Sequence, residues 1–183
     1  MKRLSFLNIY IKLVKSTLLF LKKYNTYARF CGVQIGNNCR IYIKDFGTEP
    51  FLITIGNKVT IASGVRLITH DGSTWLFNDV KGRRYHYRRI SIGDNVFIGM
   101  NSIILPGVKI ENNVIVGAGS VVTKSIPSGF VVGGNPAKII MKYQDYEDKV
   151  ILNYPSEDSM LSVNYKERVL NSMDNSFKSF ITI

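Results

Sequence analysis

Apolar residues recur along much of the chain with a step of six, a period that belongs to neither an α-helix nor an alternating strand. Ile92, Ile98, Ile104, Ile110, Val116 and Val122 form one unbroken series. At about 100° per helical residue, a step of six rotates each side chain by roughly 240°, so one helix cannot bury them all. Four positions after each member stands a second small or branched residue: Val96, Ser102, Val108, Val114, Ser120 and Ile126. Two inward positions per six residues predict a short strand and then a tight corner. The intervening Gly93, Asp94, Asn95, Gly99, Asn101, Gly107, Asn112 and Asn113 are types that tolerate positive φ and tight turns.

The same ruler appears earlier, at Ile35 and Ile41 and then at Ile55, Ile61 and Leu67, with Cys39, Val59 and Val65 at the inner four-on position. Residues 73–90 interrupt it with Trp75, Phe77, Asp79 and the basic run Lys81, Arg83, Arg84, Arg88 and Arg89. A fixed repeat broken by a non-repeating segment predicts a solenoid that carries an insertion. Residues 1–30 are apolar but interrupted by Lys12, Lys15, Lys22 and Lys23, a pattern that predicts an amphipathic helix. Its longest uncharged run, residues 4–11, falls short of the roughly 20 residues a membrane span needs, and no small-residue cleavage site follows. Mixed polar and apolar residues around Leu161 to Met173 predict a further helix.

At 183 residues, with 45% hydrophobic and 20% charged positions, the chain has the composition of about one globular domain. Its 24 basic against 13 acidic side chains give a charge of +11, which predicts attraction to an anionic partner. The charge is uneven: residues 1–30 hold seven basic residues and no acid, whereas residues 143–183 hold four basic and seven acidic. Nucleic acid, a phosphorylated cofactor, an acidic glycan and a membrane surface would all satisfy the surplus. Nucleic acid is set aside, because the basic residues are not interleaved with a reading helix or stacking platform. Cys31 and Cys39 lie outside any metal-type spacing and are expected to be free thiols in a reducing cytoplasm.

The stretch IGDNVFIGMNSIILPGVKIENNVIVGAGSVVTKSIPSGFVVGGNPAKII, residues 92–140, resembles the hexapeptide-repeat acyltransferases. The resemblance covers about residues 30–142 and implies an all-β solenoid, a left-handed parallel β-helix of triangular section. On this reading residues 1–30 form an N-terminal helical cap, residues 31–142 the β-helix domain with the inserted loop 73–90, and residues 143–183 a mostly helical extension. The family also implies a homotrimer with active sites in the grooves between prisms, and acetyl-CoA as acyl donor. No metal is expected, since a three-histidine site of the kind found in some β-helix trimers would have to draw on both His70 and His86, the two histidines present.

His70 stands where the ruler ends and the inserted loop begins, the place that resembles the family's catalytic histidine. A sugar hydroxyl is a poor nucleophile at neutral pH, and an imidazole that takes its proton during attack on a thioester contributes about 10²- to 10⁴-fold. Asp71 is the candidate to orient that imidazole, provided the chain turns at Gly72; the alternative is a solvated loop acid. The resemblance carries cofactor contacts onto Gly99, Met100, Ala118, Thr123, Lys124 and Lys138, although the small residues among these would also be needed for a corner in any such prism. Trp75, Phe77 and Arg84 of the loop are the acceptor-side candidates, against a loop anchor or a solvated basic face. His86 reads as a surface histidine. Phe97 stands where the family often has tryptophan. The leading expectation is a cytoplasmic O-acetyltransferase of sugar or polysaccharide intermediates, with the N-terminal segment either packed on the fold or resting on the inner membrane surface. N-acylation of an amino sugar and a silent glycan-binding scaffold remain as alternatives.

Overall fold

The computed structural model describes residues 2–159 and 164–180, and the chain separates into two compact units, Met1–Tyr143 and Gln144–Ile183. In the first unit, β1 (Gln34–Ile35), β2 (Arg40–Ile41), β3 (Ile53–Ile55), β4 (Thr60–Ile61) and β5 (Arg66–Leu67) precede the insertion, and β6 (Asn78–Asp79) and β7 (Gly82–Arg83) form a hairpin within it. After it come β8 (Ile90–Ile92), β9 (Val96–Ile98), β10 (Ile103–Ile104), β11 (Lys109–Ile110), β12 (Val114–Val116), β13 (Val121–Val122), β14 (Phe130–Gly133) and β15 (Lys138–Lys142). These strands assemble three sheets that the chain visits in turn: β1-β3-β8-β11, β15-β14-β12-β9-β4-β2, and β13-β10-β5. Pairing within them is parallel except for the closing strand β15, which runs antiparallel to β14.

Register gives the ruler its physical meaning. Ser91 lies against Lys109, Phe97 against Ile115, and Ile103 against Val121, so one full circuit takes 18 residues and six residues are one side of it. The series from Ile92 to Val122 is therefore stacked inside, 0–2% exposed, and its four-on partners are 0–5% exposed. Each buried Ile or Val side chain contributes about 1.5–3 kcal/mol relative to exposure. Ser102 and Ser120 are inside as well, and both hydroxyls donate to the Gly117 carbonyl, at 3.0 and 2.5 Å, so neither is left unsatisfied. Three circuits depart from the rule: Gln34 pairs with Thr54, two residues too long, Thr54 pairs with Ser91 because that circuit holds the inserted loop, and Ile115 pairs with Val131, two residues too short.

One corner column repeats the same backbone at Asn38, Lys58, Asn95 and Asn113, all at φ 55–56°. Asparagine is the side chain that most readily adopts this left-handed conformation after glycine. Beside the column runs a side-chain ladder. The Asn37 N–H donates to Asn57 Oδ1 at 2.9 Å, the Asn57 N–H to Asp94 Oδ1 at 2.6 Å, and the Asp94 N–H to Asn112 Oδ1 at 2.8 Å.

The N-terminus forms two helices where one amphipathic helix was expected: α1 (Lys2–Phe20) and α2 (Tyr24–Cys31), broken at Lys22 with φ 54°. In α1 Phe6, Leu7, Ile9, Tyr10 and Leu13 are exposed, while Ile11, Val14, Leu18 and Leu19 are half-buried along one face, with Leu18 and Leu19 against the core. It is α2 that covers the core, burying Tyr27 and Ala28 and ending in a left-handed Gly32 cap. Among the described residues no helix is long and apolar enough to cross a membrane. The second unit contains most of α3 (Tyr143–Asn153) and α4 (Tyr165–Ser172), whose first turn is capped by Asn164 Oδ1 accepting from the Lys166 N–H at 2.9 Å. Residues 161–163 of the helix expected there lie outside the described residues.

Candidate active site

His70 follows β5, where the chain leaves the prism. The returning arm of the loop pins it from both sides: the Arg88 N–H donates to the Thr69 carbonyl at 2.7 Å and the Asp71 N–H to the His86 carbonyl at 3.0 Å. One circuit earlier, the chain makes no strand in this sheet. It bulges instead through residues 43–52, with Asp45 Oδ1 accepting from the Gly47 N–H and a 3-10 turn at Pro50–Leu52. That bulge delivers Glu49. Its Oε2 accepts from the buried Thr69 hydroxyl at 2.7 Å and lies 2.9 Å from His70 Nδ1, while Oε1 accepts from the Thr48 hydroxyl at 2.6 Å.

Burial pushes the Glu49 carboxyl up, but hydrogen bonds from Thr48, Thr69 and His70 together outweigh it and hold the group below its ordinary value. An ionised carboxylate only accepts, so the hydrogen-bond network assigns a proton to Nδ1, and in the neutral ring the lone pair then sits on Nε2. The Glu49 side chain is 15% exposed and that of His70 41%. An inner anion thus backs an accessible imidazole. The ring borders a cleft of about 190 Å³ that also touches Asp45, Gly47, Arg66 and Thr69.

Asp71, the expected orienting acid, is engaged elsewhere. Its Oδ1 accepts from both the backbone N–H and the hydroxyl of Ser73, at 2.9 and 2.6 Å, which starts the 3-10 turn Gly72–Leu76 and holds its carboxyl below the ordinary value. The chain does turn at Gly72, as the orienting role required, but the turn is made by Asp71 itself. Glu49 has the position foreseen for Asp71. A signal for it was present in the sequence: Ile41 to Ile55 spans fourteen residues where two sides of the prism need twelve, and Glu49 lies in that excess.

The candidate cofactor residues fall on two edges of the sheet β13-β10-β5. Leu67, Ile104 and Val122 are in register across it, and the ladder continues through the Ile68 and Leu105 N–H groups, which donate to Ile104 and Val122. Thr123 and Lys124 therefore leave the sheet on the same edge as Thr69 and His70, two strand spacings or about 10 Å along it. Lys138, at the start of β15, shares a cleft of about 90 Å³ with Lys124. Neither lysine has a carboxylate partner among the described residues. Gly99, Met100 and Ala118 stand on the opposite edge, before β10 and β13. A Cβ on Gly99 would lie 2.5 Å from the Ala118 nitrogen, so glycine is required there by close packing of successive circuits. Met100 is half-exposed beside it.

Of the loop candidates, Trp75 is exposed and lies beneath the Arg83 guanidinium. Phe77 is exposed and makes no ring contact among the described residues. Arg84 is paired with Asp79. His86 is exposed and is held through its backbone. No group of three or more His, Cys, Asp or Glu side chains stands together among the described residues.

Comparison with known proteins agrees with this architecture. Residues 89–124 match the family model described as the hexapeptide repeat of succinyl-transferase. The chain is 49% identical over 173 residues to protein CapG of Staphylococcus aureus, covering 93% of this chain and 95% of that protein. It is 35% identical over 113 residues to the galactoside O-acetyltransferase of Escherichia coli K12, covering 62% of this chain and 55% of that one. Among solved structures, a galactoside acetyltransferase in complex with coenzyme A superposes with a TM-score of 0.51 at 25% identity, covering 76% of this chain and 84% of the other. The six-residue ruler, the 18-residue circuit and a relative matched along almost its whole length place this chain in the hexapeptide-repeat acyltransferase family.

Proposed function

We propose that the protein transfers acetyl from acetyl-CoA to a hydroxyl of a sugar or polysaccharide intermediate, with His70 as general base and Glu49 as its positioning residue. The observation that carries this reading is the Glu49–His70 pair at 2.9 Å, which leaves Nε2 free on an accessible ring at a cleft. Acetyl-CoA supplies the activated thioester. Nε2 takes the hydroxyl proton as the oxygen bonds to the acyl carbon, the C–S bond breaks, and the proton passes to the leaving sulfur. Glu49 faces the imidazolium formed between those steps and stabilises it. A thiol nucleophile is not needed: buried Cys39 donates to the Asn37 and Gly56 carbonyls, inside a corner of the prism. Lys124 and Lys138, two cations on one small cleft, suit the phosphates of the donor, and the close-packed Gly99 and Ala118 suit its pantetheine arm.

The reading includes a left-handed winding and a homotrimer in which the His70 edge of one prism faces the Gly99–Ala118 edge of the next. That packing would bring both groups of cofactor residues to one groove, with residues 31–142 as the transferring unit. Light scattering should give three times the chain mass. We also place the enzyme in the cytoplasm at the inner membrane face, on the strength of the acid-free first 30 residues and the exposed apolar side chains of α1. Sedimentation with anionic vesicles, lost on charge reversal at Lys12 and Lys15, tests that placement. The transferase reading itself is tested by calorimetric titration with acetyl-CoA alongside His70→Ala. Binding retained in the variant, with release of free thiol abolished, supports it; no binding by the folded wild type refutes it.

A further inference from the structure

The inserted loop carries a feature that the transfer chemistry does not use. In extended backbone alternate residues share a side, and residues 83, 85 and 87 lie two apart as the loop returns to His70. Tyr87 forms an antiparallel bridge with His70, and their rings meet edge-on with centroids 5.9 Å apart. Tyr85 stacks on Tyr87 at 6.0 Å with planes 11° from parallel. The Arg83 guanidinium lies 4.7 Å from the Tyr85 centroid and 5.9 Å from that of Trp75. The contacts make one ladder, from His70 through Tyr87, Tyr85 and Arg83 to Trp75.

Aromatic residues that only anchor a loop are buried by what they anchor, whereas Tyr87, Tyr85 and Trp75 stay 50, 61 and 67% exposed. Their faces are broad, rigid and apolar with a polar rim, the surface that complements the C–H face of a sugar ring. Arg83 differs from its neighbour: Arg84 is neutralised by Asp79, while Arg83 has no carboxylate in ion-pair reach among the described residues. Its planar fork, held over two rings, is the donor geometry that matches a carboxylate or phosphate.

We propose that this ladder is the acceptor platform and that the acceptor is an extended, anionic glycan. One sugar presents its hydroxyl to His70, the following sugars lie along Tyr87, Tyr85 and Trp75, and an acidic group on the chain meets Arg83. The inference rests on His70 being the transferase base. A single sugar at His70 would leave the outer part of the ladder, Arg83 and Trp75, without a role. Contact with the base and an unpaired guanidinium favour a ligand of the reaction over a second copy of the chain.

The test uses labelled acetyl-CoA and glycans extracted from the producing cells and de-O-acetylated with mild alkali. These are separated into monosaccharides with sugar nucleotides, neutral oligomers, and anionic oligomers. Label should enter the anionic oligomers. Arg83→Gln and Tyr85→Ala should raise the half-saturating oligomer concentration roughly tenfold or more, with the dissociation constant for acetyl-CoA within about twofold of wild type. Reduction of glycan carboxyl groups then separates the two sources of the anion: loss of the Arg83 dependence identifies a carboxylate, and its persistence a phosphate. Label confined to monosaccharides, sugar nucleotides or neutral oligomers overturns the proposal. So does a Tyr85→Ala variant that loses its oligomeric state, which would make the ladder a contact between copies. Trp75 is the only tryptophan, so its fluorescence reports glycan binding without turnover. In His70→Ala the anionic oligomers should still change that emission. A response there without any acetyl transfer by wild type would refute the base and keep the platform; transfer without length dependence would do the reverse.

Discussion

Replacing Glu49 with glutamine tests the positioning role with little change of shape. The amide keeps an oxygen that can accept from the Thr69 hydroxyl, which now stands at 2.7 Å. It loses the negative charge that faces Nδ1 at 2.9 Å; because one oxygen position serves both Thr69 and His70, an amide that turns its NH₂ there gives up the Thr69 bond and donates to Nδ1, which favours the tautomer with the proton on Nε2 and no base toward the cleft. A hydrogen bond to a charged group contributes about 1.5–3 kcal/mol, so at 1.36 kcal/mol per decade kcat should fall roughly 10- to 150-fold. Full loss of the base in His70→Ala sets the ceiling at about 10²- to 10⁴-fold. The assay is thiol release from acetyl-CoA with the de-O-acetylated glycan acceptor, for wild type, both single variants and the double variant. On the proposed role, in which Glu49 acts through His70, the double variant should be no slower than His70→Ala alone. A Glu49→Gln enzyme within about twofold of wild type, or additive losses in the double variant, would refute the reasoning.

Asp71→Asn should retain an acceptor for Ser73 and reduce activity far less than Glu49→Gln; an equal loss in the same assay would return the orienting role to Asp71. Asn57→Ala removes the acceptor of the Asn37 N–H and a donor to Asp94. About 1–2 kcal/mol of stability should go with them, lowering Tm by roughly 2–6 °C in a thermal melt. The depressed Glu49 carboxyl also sets a pH dependence. Its folded value lies below its unfolded one, so its contribution is complete above the ordinary glutamate value of about 4.3 and is lost as pH falls through the folded value. Denaturant midpoints of wild type and Glu49→Gln should therefore converge in acid, and a gap that widens would contradict the assignment.

The prism was legible because its inside is monotonous. Every circuit presents the same two inward positions, so Ile92 to Val122 announce themselves without knowledge of any partner strand. The point at which the insertion leaves the prism, at His70, was legible for the complementary reason, as the place where monotony stops. Glu49 was not, since it reaches His70 across 21 positions of sequence through a bulge whose course depends on Asp45, Gly47 and Pro50 together. Of the two readings left open for Asp71, the geometry matches the loop acid: neighbouring residues in extended chain face opposite ways, and the short side chain accepts from Ser73. The break between α1 and α2 was also hidden, because Lys22 adopts a left-handed conformation that its residue type does not advertise. The Arg83–Tyr85–Tyr87 alternation was present in the sequence, but its meaning depends on the bridge that places Tyr87 against His70.

The circuit that holds the inserted loop returns to the sheet in full register, with Ile53, Thr54 and Ile55 against Ile90, Ser91 and Ile92. Its two ends are tied, beyond His70, by the hydrogen bond between the Asp71 N–H and the His86 carbonyl. For the prism, then, the segment between them is a closed cassette, and its length and content are invisible to the packing inside. Evolution or an engineer can exchange that cassette for one of different length while Glu49, Thr69 and the strand edges that carry Thr123 and Lys124 stay where they are. On the proposed reading, the scaffold and its donor contacts can thus persist while the choice of recipient drifts, each changing at its own pace.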